Sequence, residues 1–376
     1  MNTAKALNRG GNRTVLSVAQ VKRVEALKRI AFERAKFGGF LIFNSANLRY
    51  FTGFPGATSL LIPRDGEGTI YVYGVNYEQA KAEAKDFKVE LVKRDENLMA
   101  KIAQQANDCK IKNLAVDALG VESWRSLTKG VRGRIRLKVK GGLISSLRAV
   151  KDAEEIEIMR KAAELTSEGM KTAYEVLSLG MREYEVAAEI EYAMRKRGSY
   201  GTAFDTAVSS GASSAFPHGG CSDRKIREGE LVVLDFGAVY KGYRSDMTRT
   251  MVAGKPSAKQ KKLFEVVKQA QQKAFEAIKP RAKTREVDAV ARKTIEAAGY
   301  GEFFVHGLGH GVGLEIHEPP TLNSASKEKL SVGNVVTDEP GIYLPGYGGV
   351  RIEDTVLVTE KGAEKLTNGP YSLGSE

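Results

Sequence analysis

Apolar positions along this chain switch repeatedly between helical and strand spacing. Val21, Val24, Leu27 and Ala31 recur every three or four residues, which predicts an amphipathic helix over 17–36 opened by a capping-box pattern at Ser17 and Gln20. FGGFLIFNSANLRYFTGF then reads as a short apolar strand among turn residues. SLLIPRDGEGTIYVYG reads as a hairpin around Asp65-Gly66-Glu67-Gly68. YEQAKAEAKDF is helical, VELVKR a strand, ENLMAKIAQQAND a helix, IKNLAVD a strand, VESWRSLTKGV a helix, and IRLKVKGG closes the section. Strands separated by helices over 1–143 predict a layered α/β domain.

From 144 the pattern changes. SSLRAVKDAEEIEIMRKAAELTSEGMKTAYEVL reads as one long helix and REYEVAAEIEYAMRKRG as a second, before the strands FDTAVSSG and ELVVLDFGAVYKGYRSDMTRTMV. The succession then recurs. SAKQKKLFEVVKQAQQKAFEAI and REVDAVARKTIEAAG are helical, FFVHGLGHGVG is strand-like, and GNVVTDEPGIYL and GGVRIEDTVLV form a strand pair. Two rounds of helix, helix and strands predict an internally duplicated α+β domain over 144–376, a repeat of pattern more than of letters.

A chain of 376 residues suits two domains, and 42% apolar with 28% charged residues describes a globular protein with a substantial core. No apolar run reaches the length of a membrane span, and the N-terminus lacks the apolar centre of a secretory signal. Cys109 and Cys221 are far apart and match no ligand or redox spacing, which predicts free thiols and a cytoplasmic address. The formal charge is +12, and the first fifty residues hold ten Lys or Arg against two Glu. With no recognition module or interleaved aromatics beside them, these charges read as a solvated helix face, and neither nucleic acid nor membrane is an expected partner.

The chemistry concentrates in the second domain. If Lys241-Gly242 is a two-residue turn, Asp235 and Asp246 share one face of a hairpin, one diagonal step of about 7–8 Å apart. They then converge on a shared cation, or alternatively pair with Arg244 or Arg249. In the second strand pair, Glu339 ends an apolar strand before a proline. Arg351, Glu353 and Thr355 share one face of GGVRIEDTVLV, opposite Val350, Ile352 and Asp354.

The chain has four histidines, and three lie in HGLGHGVGLEIHE at 306, 310 and 317. The strictly alternate glycines between them do not fit the dinucleotide-binding spacing, and LEIHEPP cannot open a helix. They describe a strand with one face stripped of side chains, with His306 and His310 on the other. No helical H-E-x-x-H is present.

This constellation resembles the pita-bread metallopeptidases: prolidase, aminopeptidase P, methionine aminopeptidase and the metal-free relative creatinase. The likeness covers about 144–367. FNSANLRYFTGF fits the N-terminal domain of prolidase, aminopeptidase P and creatinase, which methionine aminopeptidases lack. The resemblance implies a creatinase/prolidase-like N-terminal domain, which shapes substrate access and dimerises, and a pita-bread catalytic domain with a pseudo-twofold repeat. It maps the family's metal ligands onto Asp235, Asp246, His310, Glu339 and Glu353, with Asp246 and Glu353 bridging two divalent ions, Mn²⁺ or Co²⁺. All five are present, which argues against creatinase. It further implies that Glu339 shuttles a proton and that His218 and His317 stabilise the tetrahedral intermediate. His306, Tyr343 and Arg351 would bind substrate.

One departure is Asp338, where the family pattern leads us to expect an apolar residue. The implied function is hydrolysis of the bond between an N-terminal residue and a following proline, as in aminopeptidase P. The alternative is a prolidase acting on dipeptides alone. A non-catalytic binding protein on the same fold is a more distant alternative. A proline-containing peptide is the expected partner, and a homodimer the expected assembly.

Overall fold

In a computed structural model of the chain, residues 18–374 are described, so the expected cap at Ser17 lies outside the described residues. Two compact units divide between Leu147 and Arg148, late in the helix Gly141–Arg148.

The first unit is built on a six-stranded mixed sheet. Its order is Lys88–Val92, Thr69–Tyr73, Ser59–Pro63, Gly39–Ile42, Asn113–Val116 and Arg136–Val139. Leu41 and Leu61, at its centre, have no exposed surface, as do Phe40 and Leu60 on the other face. Burial on both faces is why these strands are continuous apolar runs and do not alternate.

The opening helix, Val18–Lys28, continues into a π-helical turn, Arg29–Arg34. Leu27 and Ala31 are buried as expected, but Val21 is exposed, so the apolar stripe starts a turn later than its spacing suggests. The supposed turns after the first strand are instead the helix Ser45–Thr52. Asn44 caps it by accepting from the Asn47 amide, and Gly53, at φ 70°, ends it in the left-handed region. The Asp117 carboxylate, from a distant strand end, accepts from the amides of Phe43 and Asn44 and from the Asn47 side chain. That support is invisible to local sequence.

The predicted single long helix is broken just inside the second unit. The helices Gly141–Arg148 and Ala153–Val176 are separated by 149–152, and Asp152 and Glu155 form a reciprocal capping box that opens the second. The duplication is plain in the elements. Helices Ala153–Val176 and Glu183–Lys196 precede a sheet ordered Met247–Val252, Leu231–Phe236, Ala207–Ser210. Helices Ala258–Ala277 and Thr284–Ala297 precede a sheet ordered Glu318–Leu322, Gly309–Gly311, Val335–Asp338, Asp354–Thr359, Gly362–Lys365. Each helix pair buries its apolar stripe in its own cluster, one around Met170, Ile190 and Leu234, the other around Val267, Ile295 and Val356. No helix among the described residues is long and apolar enough to cross a membrane.

Candidate metal centre

The site is built where two hairpins break. In the first, Phe236 pairs with Met247 and Asp235 with Thr248, while Val239 pairs with Arg244 beyond the break. Lys241 and Gly242 both have positive φ, the conformation of a two-residue hairpin turn. The register is therefore the one that turn predicts, and Asp246 sits one diagonal step from Asp235. At the break, Gly237 faces the Ser245 carbonyl so closely that a Cβ would lie 1.8 Å from its oxygen. The second hairpin breaks alike. Asp338 pairs with Asp354, and Gly341 with Arg351, which leaves Glu339 and Glu353 in the gap between the two ladders. Asp246, Glu339 and Glu353 thus lie off the ladders, free to aim inward.

The expected strand FFVHGLGHGVG is reduced to Gly309–Gly311, with the rest irregular. Its glycines admit neighbouring backbone. A Cβ at Gly309 would lie 2.2 Å from the Thr337 carbonyl oxygen, and one at Gly311 would lie 2.4 Å from that of Glu318. This packing sets His310 beside the acids. Its Nδ1 lies 3.1 Å from the Gly311 carbonyl, which only accepts, so Nδ1 carries the proton and Nε2 keeps its lone pair. Nε2 faces Glu339 Oε1 at 3.3 Å and Asp246 Oδ2 at 3.7 Å. Burial holds the His310 ring below its ordinary pKa, and therefore neutral.

Asp246, His310 and Glu353 each offer a ligand atom within 4.8 Å of the others. Asp235 and Glu339 line the same cavity, of about 590 Å³, as do His218, His306, His317 and Arg351. Burial, and then the charges of neighbouring acids, raise the carboxyls of Asp246 and Glu353 far above the usual range. Asp235 Oδ1, Asp246 Oδ1 and Glu353 Oε1 are buried with no hydrogen-bond partner among the described residues. Converging acids with orphaned oxygens, beside an imidazole lone pair, fit hard or borderline divalent cations better than they fit one another.

The acids do not pair with Arg244 or Arg249, the alternative open from sequence. Arg244 donates to the carbonyls of Leu314 and Ala203, and Arg249 to Asp354. Instead Arg351 Nη2 donates to Asp235 Oδ2. Arg351 Nη1 reaches the Tyr343 hydroxyl at 3.0 Å, and that hydroxyl lies 2.9 Å from His306 Nε2. His306 Nδ1 is spent on the Gly307 carbonyl, so Tyr343 donates to Nε2 and accepts from Arg351. His317 stacks edge-on against His310 with centroids 4.2 Å apart, and His218 is exposed at the cavity wall.

The residue patterns do not single out three threonines that support the site. Thr248 donates to Glu353 Oε2 at 2.5 Å, and Thr337 to Glu339 Oε1 at 3.0 Å. Thr355 links Asp246 N and O across the hairpins. The parity that placed Asp246 also places Thr248 on its face, and that signal could have found it.

The profile of metallopeptidase family M24 matches residues 157–360, and that of the creatinase/prolidase N-terminal domain matches 23–150. The chain belongs to metallopeptidase family M24. An Xaa-Pro dipeptidase of Pyrococcus furiosus is 43% identical over 338 residues, covering 88% of this chain and 94% of its own. Among solved structures, an Xaa-Pro dipeptidase from Bacillus anthracis superposes with a TM-score of 0.89 at 37% identity, covering 94% of this chain and 99% of that one. An X-Pro aminopeptidase from Thermotoga maritima superposes with a TM-score of 0.86 at 36% identity, covering 93% and 99%. Membership makes the chain a hydrolase of the pita-bread fold carrying a creatinase-type N-terminal domain, and it implies divalent metal ions.

Proposed function

We propose that the chain is a prolidase, an Xaa-Pro dipeptidase. The buried cluster of Asp246, His310 and Glu353, with its orphaned carboxylate oxygens, carries the metal-dependent part of this reading. The substrate class rests on the dipeptidases at 43% and 37% identity. These favour the dipeptidase alternative over the aminopeptidase P-like activity first expected from the motifs.

Asp235, Asp246, His310, Glu339 and Glu353 would hold two divalent ions, Mn²⁺ or Co²⁺. Bound there, the ions would supply Lewis-acid polarisation of the scissile carbonyl and make water acidic enough to attack at neutral pH. Glu339 takes the proton from the attacking water and passes it to the departing proline nitrogen. Its hydrogen bond from Thr337 fixes the carboxylate for that transfer. His317, which burial keeps below its ordinary pKa, is neutral and donates one N–H to the developing oxyanion together with His218. The Arg351–Tyr343–His306 chain orients the dipeptide. An Xaa-Pro bond has no N–H for a general peptidase to grip, so recognition by shape and by fixed donors suits it.

Ala-Pro against Ala-Pro-Ala, with Mn²⁺ supplied, tests the reading. Turnover of Ala-Pro alone supports it. Preference for the tripeptide would instead support aminopeptidase P, the reading that the likeness to the Thermotoga maritima enzyme keeps open. A cytoplasmic homodimer completes the proposal, and light scattering on the purified chain checks the assembly.

A further inference from the structure

Segment 366–373, which follows the last strand, packs against the rear of the metal centre, and its contacts converge on one side chain. Arg249 heads the fully buried side chains by volume. Its Nη1 donates to the carbonyls of Thr248 at 2.9 Å and Glu353 at 2.6 Å, and its Nη2 to Asp354 Oδ1 at 2.9 Å. Its Nε donates to the Pro370 carbonyl at 2.9 Å, and the Tyr371 ring covers the guanidinium at 4.3 Å. The Tyr371 hydroxyl donates to Asp354 Oδ2. Thr367 Oγ1 donates to Asp354 Oδ1 at 3.0 Å and accepts the Thr355 amide at 3.1 Å. The same segment reaches the first hairpin, where Val252 N donates to the Leu373 carbonyl at 2.6 Å.

Glu353 lies in a ladder gap, so no strand pairing fixes its peptide. Its amide is held by the Thr248 carbonyl at 3.0 Å and its carbonyl by Arg249. Its carboxylate meanwhile faces the like charges of Asp246 and Glu339. Thr248 holds one of its oxygens, and against that repulsion the carboxylate also needs the backbone that carries it to be clamped. Half of that clamp is Arg249, which is itself oriented by Asp354 and by segment 366–373.

We propose that segment 366–373 is a positioning strap for the metal centre, acting through Arg249 and Asp354 on the backbone of Glu353. Metal affinity then depends on Tyr371 and Arg249, neither of which supplies a ligand atom. This rests on the reading of Glu353 as a metal ligand. Outer-shell partners of this kind change metal affinity by about 10–100-fold.

The test is calorimetric titration of Mn²⁺ into the full chain and its variants. Tyr371→Phe keeps the ring over Arg249 but removes the bond to Asp354, and should weaken Mn²⁺ binding about 10-fold, with activity recovering at saturating Mn²⁺. Arg249→Lys should weaken it about 100-fold. Ile190→Ala, which opens a hole in the cluster around Met170 and Leu234, outside the segment, should lower the melting temperature yet leave Mn²⁺ affinity unchanged. Wild-type affinity in Tyr371→Phe overturns the strap, even if Arg249→Lys fails to fold. So does equal weakening in Ile190→Ala at matched thermal destabilisation. A wild-type chain that takes up neither Mn²⁺ nor Co²⁺ overturns the metal centre itself and the strap with it.

Discussion

Glu353 and Asp354 are adjacent, 2% and 0% exposed, and opposite in how their charge is met. Asp354 accepts from Arg249, Thr367, Tyr371 and Gln271, and lies 3.2 Å from Lys365 Nζ. Burial pushes its carboxyl up, but the Arg249 and Lys365 cations outweigh burial and hold it below the ordinary range. Glu353 has one hydrogen bond to its carboxylate, an orphaned oxygen, and acids around it. Adjacent side chains on opposite sides of one extended backbone thus divide the labour. The rear carboxylate is complete within the protein, whereas the front one keeps an oxygen with no partner among the described residues, the one our reading gives to a cation. Burial by itself therefore does not mark a functional acid; an unpartnered oxygen on a buried acid that faces other acids across a cavity does.

The contrast is broken most severely from the front. Glu353→Gln keeps the shape and the bond from Thr248 but removes a ligand charge, so Xaa-Pro hydrolysis should fall by roughly 10³-fold or more and metal uptake should drop with it. In chelated protein the same change relieves repulsion, so the melting temperature should hold or rise. A metal-replete, active Glu353→Gln sinks the five-ligand scheme. From the rear, Asp354→Ala strands the buried Arg249 and should cost about 3–5 kcal/mol of stability, read by denaturant unfolding. An unfolding midpoint like wild type would show that the rear carboxylate is dispensable.

Metal addition sharpens the same contrast at smaller scale. At a free Mn²⁺ concentration 100 times its dissociation constant, the folded chain should gain about 2.7 kcal/mol, and Glu353→Gln should gain much less. Equal gains in the two proteins, measured by thermal shift, would place the cation elsewhere.

How much of this was legible in the sequence depended on whether the deciding contact was local. The register of the first hairpin follows from the turn at Lys241-Gly242, so the common face of Asp235 and Asp246 could be worked out from parity. Parity likewise put Asp354 on the face away from Glu353. The ladder gaps at Gly237 and at Glu339/Glu353 were not legible, because they arise where strands change partners. The helix Ser45–Thr52 was missed because the carboxylate that holds its entry belongs to Asp117. The pairing of Arg351 with Asp235 joins two hairpins over more than a hundred residues, and no spacing predicts it. Asp338 remains a departure from the family pattern. It is buried, both of its oxygens lack a hydrogen-bond partner among the described residues, and we have no physical account of it.

The smallest expected effect concerns another buried acid, Glu318, next to His317. It resembles Asp354: Lys151 Nζ donates to its Oε1 at 2.8 Å and Arg148 Nη2 to its Oε2. Burial raises its carboxyl, but Lys151 and Arg148 together outweigh that and leave it below its ordinary value of 4.5. A depressed folded pKa means stability that is present above the unfolded pKa and lost as pH falls through the folded one. Glu318→Gln should therefore lower stability by roughly 1–3 kcal/mol at pH 7. The difference from wild type should shrink once the pH drops below the ordinary value, as wild-type Glu318 also loses its charge. Unfolding curves of the two proteins across that range decide the matter. A deficit that stays constant with pH would mean that Glu318 contributes shape alone, and that the likeness to Asp354 does not extend to charge.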